Sequence, residues 1–355
     1  MAADKRHIDR RTFSLGVLGA LAACNKSDKS KADTYGFPGG LTTFAPATHA
    51  SVATGNFWTE WRAHFVAPEG RVVDTGNGDI SHSEGQSYGM LLALQANDRE
   101  TFARIADWTE ANLARSDMAL HGWRWEPQSR SVTDTNNATD GDIVIAWALS
   151  LAGTRWNEPR WSARAAEIRG AIRRYCVINR FERQLLLPGV VGFVTGQQVT
   201  LNPSYFVWPA LDQFAQVDGQ AVWGDVIHDA EDILRLSRFG AHNLPSDWVM
   251  MTGKRALAPA PDKPPRFGYD AIRVALWGAQ GNRSALTQPI ASWWRSCLAQ
   301  HRPIPAWVNV VTGEEANYAV SNGGAAIVGR LLGTASPTQL SDDYFAASQQ
   351  LLALA

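Results

Sequence analysis

The nine residues from Ile143 to Leu151 read IVIAWALSL, and they are apolar on nearly every side of a helix. A helix of this kind must be covered all round, so the stretch predicts a helix in an inner layer. The segment 269–278 has the same character. Residues 101–114 and 161–175 instead carry apolar side chains on one face, which is typical of helices that cover a core from outside. This alternation predicts an all-α domain with two helical layers.

Further helical segments extend the pattern along the chain. They are 86–96, 203–216, 219–237, 285–300, 315–332 and 338–354. About eleven helices in all fit six helical hairpins. Strand signals are weak: Leu185–Leu187 and Val190–Val194 flank a Pro-Gly turn and predict a minor β-hairpin, and Trp248–Met251 predicts a short strand in a Pro-rich loop. The pattern predicts one folded domain over residues 50–355.

Composition narrows the class of protein. The chain has 355 residues, of which 45% are hydrophobic and 19% are charged, as in globular domains. Lys plus Arg number 33 and Asp plus Glu number 34, and this balance gives no electrostatic footprint for nucleic acid. The 15 tryptophans are a surplus. Because indole faces stack on flat apolar ligands such as sugar rings, the composition favours a protein with a stacking site.

The first 24 residues have the pattern of an export signal. Arg10-Arg11 resembles a twin-arginine signal, and the apolar run Leu15–Ala23 is far too short to span a bilayer. The run continues into Cys24 as LAAC, which resembles a bacterial lipobox; an ordinary signal with a chance cysteine is the alternative. Residues 1–23 are therefore the expected export signal, and 24–49 are expected to form a polar linker. We expect an exported, periplasmic protein that meets a membrane only through lipid on Cys24.

Three segments each place an acidic side chain where a helix is expected to start. They are SEGQSYGM with Glu84, NNATDGD with Asp140 and Asp142, and FGYDAIR with Asp270 and Arg273. Each acid alone has a simpler explanation, since a carboxylate at a helix start satisfies free N–H groups, and Asp270 could pair with Arg273. If the inner helices start at one end of the barrel, however, the acids converge there. Converging carboxylates with aromatic platforms are typical of a glycoside hydrolase.

Four stretches carry a resemblance to a known family. Residues 138–152, ATDGDIVIAWALSLA, closely resemble the signature of family 8 glycoside hydrolases. Segments 83–88 and 269–274 resemble that family's proton-donor and catalytic-base segments, and LNPSY at 201–205 resembles a substrate-site loop. The chain is most similar to the endoglucanases encoded beside bacterial cellulose synthases. The resemblance implies an (α/α)6 barrel, an inverting mechanism, β-1,4-glucan as substrate and a functional association with cellulose synthase machinery.

The resemblance and the chemistry of inversion together assign the acids. In an inverting hydrolase a carboxylic acid protonates the leaving oxygen, and an opposed carboxylate roughly 6.5–9.5 Å away deprotonates a water. We expect Glu84 to be the acid and Asp270 the base. Burial among aromatics and the charge of Asp140 are expected to raise the pKa of Glu84, against the helix N-terminus, which lowers it. Asp140 itself either holds the distorted sugar, which we prefer, or acts as a nucleophile.

Other side chains are expected to complete the site. They are Arg273 beside Asp270, Tyr205 and Tyr269 near the cleaved bond, Trp123 and Trp125 as sugar platforms, and Asp142 in the site wall. His64, His82 and His121 have no ligand spacing, and a calcium-like loop from Asp74 lacks its closing Glu, so neither metal nor cofactor is expected. One alternative is the same fold acting on chitosan, xylan or mixed-linkage glucan. Another is a non-catalytic glucan-binding lipoprotein.

Overall fold

The computed structural model describes residues 51–354, with side chains from residue 56 onward. The expected export signal, Cys24 and the linker to residue 49 lie outside the described residues. The helices are α1 Ser51–Phe65, α2 Ser83–Gln95, α3 Arg99–Leu113, α4 Thr139–Arg155, α5 Pro159–Ala171, α6 Trp208–Asp218, α7 Gln220–Leu236, α8 Ile272–Gln280, α9 Ser284–Ala299, α10 Asn322–Leu332 and α11 Tyr344–Leu354. None of them is long and apolar enough to cross a bilayer.

Six of these helices form a closed inner ring. In the order α2, α4, α6, α8, α10 and α11, each contacts the next, and α11 contacts α2 again. Helices α3, α5, α7 and α9 each pack outside the inner helix that precedes them in the chain, and α1 packs outside α11. This is the (α/α)6 barrel that the resemblance implied, and the prediction of an all-α fold with two layers is confirmed.

The pattern of apolar residues explains which helices lie inside. In α4 the segment Ile143–Leu149 is fully buried except for Trp147, and in α8 every residue from Ile272 to Gly278 is buried. The outer helix α3 buries only one face, which includes Phe102 and Ile105 as predicted. Burying a Leu, Ile or Val side chain contributes about 1.5–3 kcal/mol to the free energy of unfolding. A helix that is apolar on all sides gains this contribution from every side only at the centre of the barrel.

The strands are short and lie in the loops between helices. They are β1 Ser81–His82, β2 Arg124–Glu126, β3 Ser131–Asp134, β4 Val177–Arg180, β5 Arg183–Leu186, β6 Val194–Thr195, β7 Gln198–Leu201, β8 Val249–Gly253, β9 Ala256–Pro259, β10 Arg266–Phe267 and β11 Val308–Asn309. All pairs are antiparallel, in sheets β1-β2-β3, β4-β5, β6-β7-β8-β9 and β10-β11. Strand β1 leads directly into α2, and β10 leads towards α8, so paired backbone holds the chain just before both helix starts.

Some boundaries and one pairing differ from the predictions. The strand around Leu185 pairs with Val177–Arg180, not with residues 190–194, because the chain turns at Phe181 and Glu182. Within the described residues the predicted helix 315–332 begins only at Asn322, and 338–354 only at Tyr344. Helices α10 and α11 are both inner, since the segment between them forms no helix and α1 covers α11. Within the described residues the barrel therefore has six inner and five outer helices, which agrees with the predicted total of about eleven.

Candidate active site

A groove lies at the end of the barrel where three inner helices begin. Glu84 is in the first turn of α2, Asp140 is in the first turn of α4, and Asp270 comes just before α8. The side chains of all three acids line the groove. The structure thus brings together the three acidic segments that the sequence singled out.

Gly141 allows the starts of α2 and α4 to touch. A Cβ atom on Gly141 would lie 2.6 Å from Ser83 Oγ and 2.9 Å from the backbone nitrogen of Glu84, which is closer than Cβ atoms come to other atoms. Glycine is required here by the close approach of another backbone segment. As a result Asp140 lies beside Glu84, and both side chains accept from Nη1 of Arg273.

Arg273 holds the three acids together. Its Nη1 donates to Glu84 Oε2, to Asp140 Oδ2 at 3.1 Å and to Tyr88 Oη at 3.0 Å. Its Nη2 donates to Asp270 Oδ1 at 2.5 Å. The sequence predicted only the contact between Arg273 and Asp270. Glu84 and Asp270 therefore bind different nitrogens of one guanidinium that is 2% exposed.

The charge of Arg273 decides how Glu84 and Asp140 share protons. Burial disfavours both carboxylates, but the guanidinium and His82 outweigh burial at Glu84 and lower its pKa. Burial and the neighbouring charge of Glu84 instead raise the pKa of Asp140 well above its ordinary value. Of the two side chains, Glu84 is therefore the more acidic and Asp140 the more basic. The expectation that the pKa of Glu84 is raised does not hold here, because it left out the direct contact with Arg273.

His82 fixes the start of α2. Its Nδ1 accepts a hydrogen bond from the backbone N–H of Gly85 at 3.0 Å, and its Nε2 lies 3.4 Å from Asp74 Oδ2. Both His82 and Asp74 line the groove. Sequence reasoning treated His82 as an ordinary residue, because a histidine that caps a helix has no spacing signature.

Asp270 and Asp247 form a second pair of acids in the groove. Burial raises the pKa of Asp270 against the opposing effect of Arg273. Burial and the charge of Asp270 raise the pKa of Asp247 to about 7. Sequence reasoning missed Asp247, which lies in the Pro-rich loop just before β8. A single acid in such a loop gives no signal of its own.

The predicted tyrosines lie in the groove. Tyr205 ends a short 3₁₀ helix, Pro203–Tyr205, and its ring centre is 5.9 Å from the guanidinium carbon of Arg273. The hydroxyl of Tyr269 lies 2.7 Å from that of Tyr318. Tyr205 and Tyr269 both line the groove, as a role near the cleaved bond requires.

The two predicted tryptophan platforms differ. Trp123 is partly exposed and lines the groove. Trp125 is 7% exposed, packs edge-on against Trp108 with ring centres 5.5 Å apart, and is covered by Arg71. A shift of strand register between Arg124 and Trp125 turns the two indoles to different sides. The prediction that Trp125 stacks on a sugar is therefore wrong.

Two further tryptophans line the groove without having been singled out as platforms. Trp248 stacks on Phe193, with ring centres 6.0 Å apart and an interplanar angle of 5°. Trp307 is covered on one face by the guanidinium of Arg266 at 3.7 Å. Among 15 tryptophans the sequence offered no means to separate these from core residues such as Trp61 and Trp277.

Asp142 does not belong to the groove. Its side chain is fully buried and accepts hydrogen bonds from the backbone N–H of His121 at 3.1 Å, from His121 Nδ1 at 2.8 Å and from Asn137 Nδ2 at 3.0 Å. His121 also contacts Glu110 at 3.1 Å, and these two acids outweigh burial and raise its pKa to about 9. The prediction that Asp142 lies in the site wall is wrong, because two residues of helix turn it away from Asp140.

No group of three His, Cys, Asp or Glu side chains in the described part of the chain is arranged to hold a metal ion. The chemistry available in the groove is that of the carboxylates, of Arg273 and of the phenols. A carboxyl group of raised pKa, a neighbouring carboxylate of lowered pKa and a third carboxyl bound to the other Nη of the same guanidinium can perform proton transfers.

Comparison with known proteins identifies the family. Residues 39–355 match the model of glycosyl hydrolases family 8. An endoglucanase of Cellulomonas uda is 37% identical over 278 residues, 78% of this chain and 77% of that protein. A probable endoglucanase of Novacetimonas hansenii is 37% identical over 320 residues, 88% of this chain and 93% of that protein. The solved structure of an endo-β-1,4-glucanase of Acetobacter xylinum superposes with a TM-score of 0.79 at 36% identity, covering 85% of this chain and 96% of that one. The chain belongs to glycosyl hydrolase family 8.

Proposed function

We propose that this glycoside hydrolase is an endo-acting β-1,4-glucanase that cleaves cellulose-type glucan with inversion of configuration. The observation that carries the proposal is the meeting of Glu84, Asp140 and Asp270 on Arg273 inside an open groove. Relatives of 37% identity that are named endoglucanases support the substrate class. An open groove with aromatic walls suits a long chain of sugar rings that is cut internally.

Glu84 is the general acid and Asp270 the general base in this proposal. Glu84 and Asp270 bind different nitrogens of Arg273. Inversion requires their carboxyl groups to lie roughly 6.5–9.5 Å apart, with room for a water between substrate and base. Burial raises the pKa of Asp270 and so makes it a stronger base. Arg273 Nη2 keeps its carboxylate oriented.

In this proposal Asp140 supplies the proton that Glu84 needs as general acid. The pKa of Asp140 is raised and that of Glu84 is lowered, so a proton carried by Asp140 passes to Glu84 before Glu84 protonates the glycosidic oxygen. The same transfer leaves Asp140 as a carboxylate beside the sugar. A negative charge there stabilises the positively charged sugar of the transition state, which adds to the role preferred from sequence, holding the distorted sugar.

Hydrolysis assays on four polymers test the substrate. We expect reducing ends from carboxymethylcellulose, with an early fall in viscosity that marks internal cleavage, and less from chitosan, xylan and mixed-linkage glucan. NMR of the first products should show the α-anomer. Faster cleavage of chitosan or xylan would overturn the substrate assignment, and glucan binding without new reducing ends would favour the non-catalytic alternative.

Matched variants test the residues. Glu84→Gln and Asp270→Asn should each lower kcat by about 10²–10⁴-fold, the usual contribution of a general acid or base. Asp229→Asn is the control, because Asp229 also bonds an arginine, Arg183, but lies outside the groove. It should keep the wild-type kcat. Retention of activity in Glu84→Gln would contradict the assignment.

The proposal extends to the cellular setting of the enzyme. The proposed enzyme is exported, anchored through lipid on Cys24, and acts on glucan made by the cell's own cellulose synthase machinery. The twin-arginine and lipobox patterns support the first two points, and the resemblance to endoglucanases encoded beside cellulose synthases supports the third. Mass spectrometry of the mature N-terminus should find a diacylglycerol adduct on Cys24 that is lost in Cys24→Ser. A free N-terminus at another residue would refute the anchor.

A further inference from the structure

Asp247 binds the segment that carries the proposed base at three points. Its backbone N–H donates to Arg266 O at 2.6 Å. Its Oδ1 accepts hydrogen bonds from the backbone N–H groups of Gly268 at 3.0 Å and Ala271 at 2.7 Å. These two donors lie on either side of Asp270 in the chain, so one carboxylate oxygen closes the turn on which Asp270 stands.

Asp247 is the partner of the last N–H group before helix α8. The first three N–H groups of α8 donate to backbone carbonyls of the turn Gly268–Ala271. Ala271, at the helix start, has no side chain able to accept a hydrogen bond. Its own N–H donates to Asp247 in another loop, 24 residues away in the chain, so Asp247 holds the turn and not the helix itself.

The fit between Asp247 and the turn is close. A Cβ atom on Gly268 would lie 3.0 Å from Asp247 Oδ2 and 3.4 Å from Trp307 Cβ. Asp247 also lines the groove, and the charges of Asp270 and Arg273 both act on its carboxylate. It therefore connects the loop before β8 to the start of α8 at the point where the reaction is proposed to occur.

We propose that Asp247 is a positioning residue for the general base: it holds the turn Gly268–Ala271 and thereby directs the carboxylate of Asp270 at the attacking water. This inference rests on the proposed function, in which Asp270 is the base. A displacement of about 1 Å in a reacting group can lower a rate by about 10²-fold, so loss of the contact acts on kcat. Binding of the glucan, which extends along the whole groove, is little affected.

Three variants of the full chain test the proposal with carboxymethylcellulose as substrate. Asp247→Ala should lower kcat by about 10–100-fold with KM within about twofold of wild type. Asp247→Asn keeps an oxygen that can accept both N–H groups, and its kcat should stay within about threefold of wild type. Gly268→Ala places a Cβ atom against Asp247 Oδ2 and should lower kcat although the carboxylate remains. This variant tests the proposal if Asp247→Ala does not fold.

Controls separate positioning from a general effect on stability. Asp229→Ala removes another carboxylate that accepts from a backbone N–H, that of Gln184 at 2.7 Å, and it should lower the Tm while leaving kcat unchanged. Wild type and Asp270→Asn are measured beside the variants. If wild type does not hydrolyse the polymer, the proposed function fails. If Asp270→Asn is active, the base assignment is overturned and the role of Asp247 with it.

With those two controls as expected, the positioning role is overturned by any of three results. The first is an Asp247→Ala variant whose kcat stays within about twofold of wild type. The second is a rise in KM at constant kcat, which would mean that Asp247 binds sugar. The third is an Asp247→Asn variant as slow as Asp247→Ala at equal Tm, which would mean that the charge of Asp247 and not its hydrogen bonds to the turn is required.

Discussion

Replacing Arg273 by glutamine tests whether the positive charge of its guanidinium offsets the cost of burying three acidic side chains. Arg273 is 2% exposed and donates to Glu84, Asp140 and Asp270. Glutamine is shorter and uncharged, so Arg273→Gln leaves the acids without a counter-charge. Removing one partner of a buried ion pair costs about 3–5 kcal/mol. We expect the free energy of unfolding at pH 7 to fall by about 3 kcal/mol, since the acids can escape part of the penalty by taking up protons.

The pH dependence of this loss follows from the sign of the pKa shift at Glu84. Arg273 lowers the pKa of Glu84 below its ordinary value of 4.5. A lowered pKa contributes stability above the ordinary value, and the contribution is lost as the pH falls through the lowered one. The difference between wild type and Arg273→Gln should therefore be largest near pH 7 and shrink as the pH falls below 4.5 towards the lowered pKa of Glu84. Urea denaturation at several pH values measures it.

Arg169→Gln is the matched control for this experiment. Arg169 is also buried, at 6% exposure, and donates twice to Asp218 at 2.8 Å, but it lies outside the groove. Arg169→Gln should lower the free energy of unfolding, while the folded protein keeps the wild-type kcat. Arg273→Gln should lose activity as well as stability. A loss below about 1 kcal/mol at pH 7, or an equal loss at pH 4 and pH 7, would refute compensation by Arg273.

Three further outcomes are expected. Azide, as an external nucleophile, should restore turnover to Asp270→Asn, which lacks the base, but not to Asp140→Asn; rescue of both, or of neither, would contradict the separate roles. His121→Gln should be less stable than wild type below pH 6.5, with a gap that narrows as the pH rises through about 9, where wild-type His121 loses its proton; a gap in urea denaturation that widens with pH would contradict a charged His121. Trp123→Ala should raise KM for long glucans, whereas Trp125→Ala should mainly lower the Tm by opening a cavity. A raised KM in Trp125→Ala together with an unchanged KM in Trp123→Ala would contradict the different roles of the two indoles.

The sequence was sufficient for the parts of the fold that depend on local pattern. The run Ile143–Leu151 could only be stable when covered on all sides, and it forms the middle of an inner helix. The hairpin was assigned to the wrong partners, because the turn that pairs Ile178 with Leu185 uses Phe181 and Glu182 at φ values of 54° and 56°. Two bulky residues with positive φ give none of the usual Gly or Asn signals of a turn.

The parts of the site that were missed depend on contacts between distant segments. Glu84 meets Arg273 across 189 residues of chain, and this contact reverses the expected direction of its pKa shift. Asp247 reaches Ala271 from a loop that carries no helical or strand pattern before it. Periodicity locates helices and their starts, but it does not report which side chains meet once the ring of helices closes.

Asp140, Gly141 and Asp142 explain why one short stretch of sequence identifies both the fold and the chemistry. Successive residues of a helix are rotated by about 100°, so the three point in different directions. Asp140 faces the groove, Gly141 faces α2 where only a hydrogen atom fits, and Asp142 faces inward to His121. The pairing of Asp142 with His121 anchors the start of α4, the gap at Gly141 sets its distance from α2, and the position of Asp140 beside Glu84 follows from both. The catalytic geometry is thus a consequence of how two inner helices begin, and a change at any one of the three positions would alter the other two contacts.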